Sequence, residues 1–363
     1  MDYAFNVPIN SVSFGNVAIA LLRESYKAGH QPAIFPIGGQ VDLSTQNEDK
    51  DFNAWLQSCI NKSYSTHKRK NPCIKLWHLH SGGMESFSDK QVLLTFYELD
   101  SPTESEINVV KNNYKVIFPC DYNTNIFKEY GCDNVATIPL GFDSFNFSKI
   151  NKTYFDDGRI SFFIPGKWEP VRKRTEKVIK AWIKRFGNNP KYFLNCAIWN
   201  HFVNPDQQKQ IFANILEGKN VANVQFMGFM PQNAVYNDFI NSNDVVLSLG
   251  TESWGLPEFH AVALGKYGII SNYAGHKQWV NSDNSLLINP NQKIPAYDGM
   301  FFHPNQPFNQ GNVYDFSEDE FIFACEDIIK KVQNKRENTA GLQLQNKFTY
   351  KNTFDKLIQE LQS

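Results

Sequence analysis

The feature that most constrains this chain is its alternation of short, nearly unbroken apolar runs with longer polar segments of helical character. QPAIFPIG, CIKLWHLH, QVLLTFYE, YKVIFPC and NVATIPLG occupy the first part; ISFFIPG, YFLNCAI, NVQFMGF, DVVLSLG, YGIISN and SLLINP occupy the second. Strands that are apolar on both faces belong to parallel sheets covered by helices on each side, so the pattern predicts an α/β chain with two doubly wound sheets. NVAIALLRESYKAG and RTEKVIKAWIKRFG supply helices, each closing on a glycine. The polar, aromatic stretch 141–158 separates the two series, which gives an N-terminal domain over 1–143 and a C-terminal domain over 144–340. In the tail, 341–363, Phe354, Leu357, Ile358 and Leu361 share one helical face, expected to pack back toward the first domain.

With 363 residues, 42% of them hydrophobic, the chain can build two ordinary cores. A formal charge of −1 provides no overall field for polyanions or membrane surfaces, so neither nucleic acid nor membrane is an expected partner. The six cysteines (Cys59, Cys73, Cys120, Cys132, Cys196, Cys325) show no metal or redox spacing and read as reduced thiols. With no signal-like N-terminus and no apolar run of membrane length, the expected location is cytoplasmic.

Ligands of doubly wound sheets bind beyond the carboxyl ends of the strands, so the strand-end loops are where chemistry belongs. In SVSFGNVAIALL, Gly15 precedes a helix: either a plain turn or a close backbone approach to an anion. FIPGKWEPVRKRTEKVIKAW places Lys167, Arg172, Lys173 and Arg174 between a strand and a helix. This is either a solvated basic loop or a phosphate site, in which lysine supplies a point charge and arginine a planar fork. TESWGLPEFHAVALG sets Glu252 at a strand end and Gly255 and Pro257 in a stiff corner, with Glu258 and His260 either capping or core residues of the next helix. His78 and His80 alternate on what reads as a strand and point to one side. No further ligand has zinc spacing, so no metal is expected. The dinucleotide fingerprint is missing, which disfavours a dehydrogenase.

GKWE-x-x-RK, then E-S-W-G-L-P-x-x-H-A-x-A-L-G, then ISNYAGHKQWV together resemble the retaining glycosyltransferases of family 4, whose GT-B fold sets two Rossmann-like domains facing a cleft. The likeness keeps its order over most of residues 10–290: SFGNVAIALLRESYKAGH is similar to the first loop and helix, and TFYE to the acceptor-side loop. It implies a hexosyltransferase that retains anomeric configuration, takes a UDP-, GDP- or ADP-sugar as co-substrate, and needs no cofactor or metal. The acceptor would be a glycan, a lipid-linked sugar or another hydroxyl compound.

Lys167, Lys173 and Arg172 then resemble the contacts of the donor diphosphate, with Gly15 near the same phosphates. Glu252 resembles the first Glu of the family's E-x7-E motif, at the donor sugar, with Gly255, Leu256 and Pro257 shaping its loop. Phe229 and Met230 resemble the segment near the base. Tyr97 and Glu98 join Glu252 and Lys173 as candidate catalytic residues, and His78 and His80 stand on the acceptor side. The sequence departs from the pattern at His260, where the family holds the ribose with a second Glu; histidine offers no bidentate acceptor. That departure keeps a catalytically silent binder of nucleotide-sugars or glycans open as an alternative, beside a glycosyltransferase acting on DNA bases, which the charge disfavours.

Overall fold

The computed structural model describes residues 2–363. The first half runs β1 (Ala4–Ile9), α1 (Ser13–Lys27), β2 (Ala33–Val41), α2 (Lys50–Thr66), β3 (Cys73–Leu76), β4 (Gln91–Leu94), α3 (Glu104–Lys111), β5 (Lys115–Phe118), α4 (Asp121–Glu129) and β6 (Val135–Thr137). The second half continues with β7 (Ile160–Ile164), α5 (Thr175–Phe186), β8 (Tyr192–Cys196), α6 (Pro205–Leu216), β9 (Val224–Phe226), α7 (Asn233–Ser242), β10 (Val245–Ser248), α8 (Leu256–Ala263), β11 (Tyr267–Ser271) and β12 (Leu286–Ile288). Then come β13 (Gln292–Pro295), β14 (Asn312–Asp315), α9 (Glu318–Asn334), α10 (Thr339–Leu342), α11 (Leu344–Lys347) and α12 (Tyr350–Gln362).

Two six-stranded sheets result, ordered β2-β1-β3-β4-β5-β6 and β12-β11-β10-β7-β8-β9, with every pairing parallel. This is the predicted pair of doubly wound layers. The central strands β1, β3 and β7 are buried at every residue, as strands covered on both faces must be. β13 and β14 form a separate antiparallel pair.

Both expected helices form, but their closing glycines work differently. Gly29 takes a left-handed φ of 72° just past α1. Gly187 has φ −55° and is small for another reason: a Cβ there would meet the Ile183 carbonyl oxygen at 2.6 Å.

α12 buries Phe354, Leu357 and Leu361 and packs on α1, β3 and β4 of the first sheet. Each such side chain contributes about 1.5–3 kcal/mol of apolar transfer. Thr353 Oγ1 donates to the Pro139 carbonyl at 2.7 Å and Lys90 Nζ to that of Leu361 at 3.0 Å, fixing the helix at both ends. All six cysteines are buried and unpaired, and burial pushes Cys73 and Cys120 up to about 12, which leaves them inert as nucleophiles. No helix is long and apolar enough to cross a membrane among the described residues.

Candidate active site

The loop 165–174 leaves the carboxyl end of β7, and the loop 249–255 leaves that of its neighbour β10. Gly250 brings the two loops together, since a Cβ on it would lie 2.6 Å from Lys173 Cα. The Thr251 N–H donates to the Arg172 carbonyl at 3.0 Å, closing the contact.

Arg172 is fully engaged. Its Nε and Nη2 grip Glu169 at 2.7 and 2.9 Å, and Nη1 lies 3.0 Å from both the Thr251 carbonyl and Glu252 Oε2. Lys173 Nζ pairs with Glu252 Oε1, and Lys167 Nζ with Glu169 Oε1 at 3.0 Å. The crowded cations are therefore relieved from within the chain: Asp315 likewise takes Arg174 and Lys177, each at 2.9 Å. Burial raises the Glu169 carboxyl, but the Arg172 charge and fork, then Lys173 and Lys167, outweigh it and hold it at about 2. Lys167, Arg172 and Lys173 pair directly with two carboxylates, Glu169 and Glu252, and the ionised Glu258 adds its field at Lys173.

The first domain closes the other side. Glu98, just beyond β4, faces this cluster, and burial, only partly opposed by Arg172, pushes its carboxyl toward the neutral form. Tyr97 is a clamp. Its N–H donates to Ser253 Oγ at 3.3 Å, its carbonyl accepts from Asn123 Nδ2 at 2.6 Å, and Ser253 Oγ donates to Asn123 Oδ1 at 2.9 Å. Its hydroxyl is buried without a partner, and burial drives its pKa far up, so proton transfer through it is not available.

His78 and His80 lie past the end of β3, in a loop and not on a strand, with their rings stacked at 5.6 Å. Phe14 packs on His78 at 4.3 Å. Water reaches the His78 ring, yet the enclosing cleft, then His80 and Lys167, push its pKa down to about 4. Gly15 sits in the first turn of α1, where a Cβ would strike the Asn10 carbonyl oxygen at 2.0 Å, so its smallness serves packing directly. Phe229 is exposed beside His201 at 5.2 Å, while Met230 packs on the core.

The corner at Gly255 has a positive φ of 80°, and a Cβ there would hit Glu258 Oε1 at 2.6 Å and His276 Nε2 at 2.7 Å. Leu256 and Pro257 open α8 directly after it. Glu258 curls beneath the corner, accepting from Ser248 Oγ at 2.8 Å and bonding His276 Nε2 at 3.0 Å. Burial opposes its ionisation, but the His276 bond and charge and then Lys173 hold it at about 2.

The His260 ring is tied to the backbone, as the core reading of this position expects. Its Nδ1–H donates to the Leu256 carbonyl at 2.7 Å, and its Nε2 accepts the Asp143 N–H at 3.1 Å. The Phe142 and Phe147 rings flank it at 5.2 and 4.4 Å. Glu258 is buried within the field of Lys173. Two residues of helix, about 200° of rotation, point the two side chains to opposite sides of α8.

No family model matches the sequence, and no curated protein matches it significantly. Solved structures do. A sucrose-phosphate synthase from Thermosynechococcus elongatus superposes with a TM-score of 0.72 at 12% identity, over 99% of this chain and 98% of that one. A glycosyltransferase from Rickettsia africae gives 0.66 at 13% identity, over 99% and 97%. Anabaena HepE, in complex with UDP-glucose, gives 0.62 at 13% identity, over 100% and 99%. With two parallel six-stranded sheets in the same arrangement as these chains, the architecture is decided.

The fold is GT-B. In GT-B terms, the Glu252 cluster lies on the second domain's wall of the cleft and Glu98 on the first's. Two residues of this GT-B cleft escaped notice in the sequence: Glu169, which neutralises Arg172 and Lys167, and His276, which supports the Gly255 corner. Glu169 had a signal, an acidic residue three positions before Arg172; His276 stood in the ISNYAGHKQWV segment but was given no role of its own. The described residues contain no group of three or more His, Cys, Asp or Glu side chains arranged to hold a metal ion.

Proposed function

We propose that this chain is a retaining glycosyltransferase that moves a hexose from a nucleotide diphosphate sugar to a hydroxyl acceptor without a metal ion. The carrying observation is the cluster of Lys167, Arg172 and Lys173 around Glu252, at the carboxyl ends of β7 and β10. The likeness to two proteins described as glycosyltransferases, and to HepE in complex with UDP-glucose, supports the same reading.

The residues divide the work. Lys173 exchanges Glu252 for the donor diphosphate, and Lys167 joins it, so that cations meet the charge that builds on the departing phosphate. Glu252, released from Lys173, accepts hydrogen bonds from the donor-sugar hydroxyls. Arg172 keeps its protein partners and holds both loops in place. The leaving phosphate takes the acceptor's proton on the same face of the sugar, and Glu98 positions the acceptor hydroxyl from the opposite domain. Closure between the domains excludes water and fixes the geometry.

A panel of UDP-, GDP- and ADP-sugars tests this. One of them should raise the melting temperature, since a ligand that binds only the folded state stabilises it. The same sugar should release its nucleotide when a hydroxyl acceptor is present. Binding without release across a broad acceptor set would favour a silent binder, and no binding at all would sink the assignment. DNA added as acceptor should change nothing.

A further inference from the structure

Residues 292–315 of the second domain reach across the cleft and seat on the first. The pair β13–β14 carries a loop whose Phe302, with Ala296 and Val313, is buried in one apolar cluster with Tyr97, Leu99 and Val109 of the first domain. Two carboxylates of that domain hold the loop by its backbone: Asp100 Oδ1 accepts the Asn312 N–H at 2.7 Å, and Glu106 Oε1 the Asn309 N–H at 2.8 Å. Thr103 Oγ1 donates to the Pro307 carbonyl at 2.6 Å, and Lys293 Nζ reaches Asp100 Oδ2 at 2.8 Å. Gly311, at φ 121°, fits only because it lacks a Cβ, which would fall 2.5 Å from Asp100 Oδ1. Seated in this way, the loop lays the Phe301 ring 3.9 Å from Lys167 Nζ.

The seat is built to let go. Residues 303–308 are exposed, as are Gln292 and Lys293 of β13, while the base of the hairpin is anchored to the second domain by Asp315, paired with Arg174 and Lys177, and by Tyr314 against Tyr273. A two-stranded hairpin is marginal by itself and keeps its shape through what it docks on. Segments with few buried contacts occupy the low end of local stability. The recess beside Glu252 also has little room: lined by Lys173, Thr175, Gly250 and Glu252, it measures about 10 Å³, far below the roughly 300–1,000 Å³ of ordinary ligand sites.

We propose that residues 292–315 form a reversible strap: seated on Asp100, Thr103 and Glu106 it locks the two domains together and covers Lys167, and a ligand enters the cleft only when it lifts. The locking is a property of the chain itself; the nucleotide as the ligand it admits rests on the function proposed above.

Two variants test the strap. Asp100→Ala removes acceptors for Asn312 and Lys293, and the pair Thr103→Cys with Pro307→Cys places thiols across the seat so that oxidation staples it. Without any ligand, amide exchange over 296–311 should be faster in wild type than in β1 and β10, and at least tenfold faster still in Asp100→Ala. UDP should associate at least tenfold more slowly with the oxidised pair than with the same protein after reduction, as read by tryptophan fluorescence. Exchange over 296–311 as slow as in β1, and unmoved by Asp100→Ala, would overturn the strap, as would stapled protein binding UDP at the reduced rate. If exchange responds as expected but UDP binds to no form, the lock stands and the nucleotide reading falls.

Discussion

His260 Nε2 accepts the backbone N–H of Asp143 at 3.1 Å, joining the first turn of α8 to the segment that connects the two sheets. The same ring donates to the Leu256 carbonyl, so both nitrogens are committed to the backbone. His260→Ala leaves the buried Asp143 N–H without its partner, which costs about 1–3 kcal/mol. His260→Glu restores the motif of the resembling family but sets a carboxylate against the Leu256 carbonyl, and should lose stability too. His260→Gln, with one donor and one acceptor, should recover most of it. Urea unfolding of the three variants decides this: equal midpoints would show that the contact contributes nothing.

Acid should act in two windows. Burial lowers His260 from its ordinary value of 6.5, and enclosure lowers His78 to about 4. A histidine depressed in the fold prefers to be neutral there, so its contribution is full above 6.5 and is lost as pH falls toward 4. Glu169 and Glu258, both held near 2, contribute fully above their ordinary 4.5 and lose that contribution as pH falls toward 2. Glu98, raised by burial, has the opposite sign and favours the fold below 4.5. Melting temperatures from pH 7 to pH 3 should fall first through the histidine window, with a shallower fall there in His260→Gln. A flat profile from pH 7 to pH 5 would contradict the histidine contribution.

Glu169→Gln removes the bidentate partner of Arg172, whose side chain is only 8% exposed. An uncompensated buried guanidinium costs about 3–5 kcal/mol. A loss below about 1 kcal/mol in chemical denaturation would mean that Glu252 alone satisfies the arginine.

Lys173→Met and Glu252→Gln should each lower kcat/KM by about 10²–10³-fold, the usual effect of removing a group that stabilises developing charge. Their double mutant should lose much less than the product of the two, because the side chains form one ion pair. Full multiplicativity would show that the two act independently.

Gly255→Ala forces a side chain into a left-handed backbone and onto Glu258 and His276. Strain of this kind costs about 1–3 kcal/mol. The displaced corner should weaken sugar-nucleotide binding as well as lower the melting temperature; an unchanged affinity would separate the corner from the ligand site.

The basic loop was legible in part. Lys167, Arg172, Lys173 and Arg174 do gather at a strand end, but the sequence left them as four crowded charges relieved by water or by an outside anion. Their partners, Glu169, Glu252 and Asp315, come from two loops and the end of β14, and only Glu169 is a near neighbour in sequence. The strap was invisible. Residues 289–317 carry no strong period, and their meaning lies in Asp100 and Glu106, about two hundred positions away.

By itself the sequence determined the two parallel sheets, because burial on both faces writes continuous apolar runs that need no partner to be read. It also determined the strand-end placement of Gly250, Glu252 and Gly255, since strand and helix periods are local. Only the tertiary structure decided where polar side chains point. Asp143 and His260 are 117 positions apart, and their bond depends on how a linker packs against a helix turn. Hydrogen bonds act over about 3 Å in space, and local periodicity carries no record of which distant segments come that close.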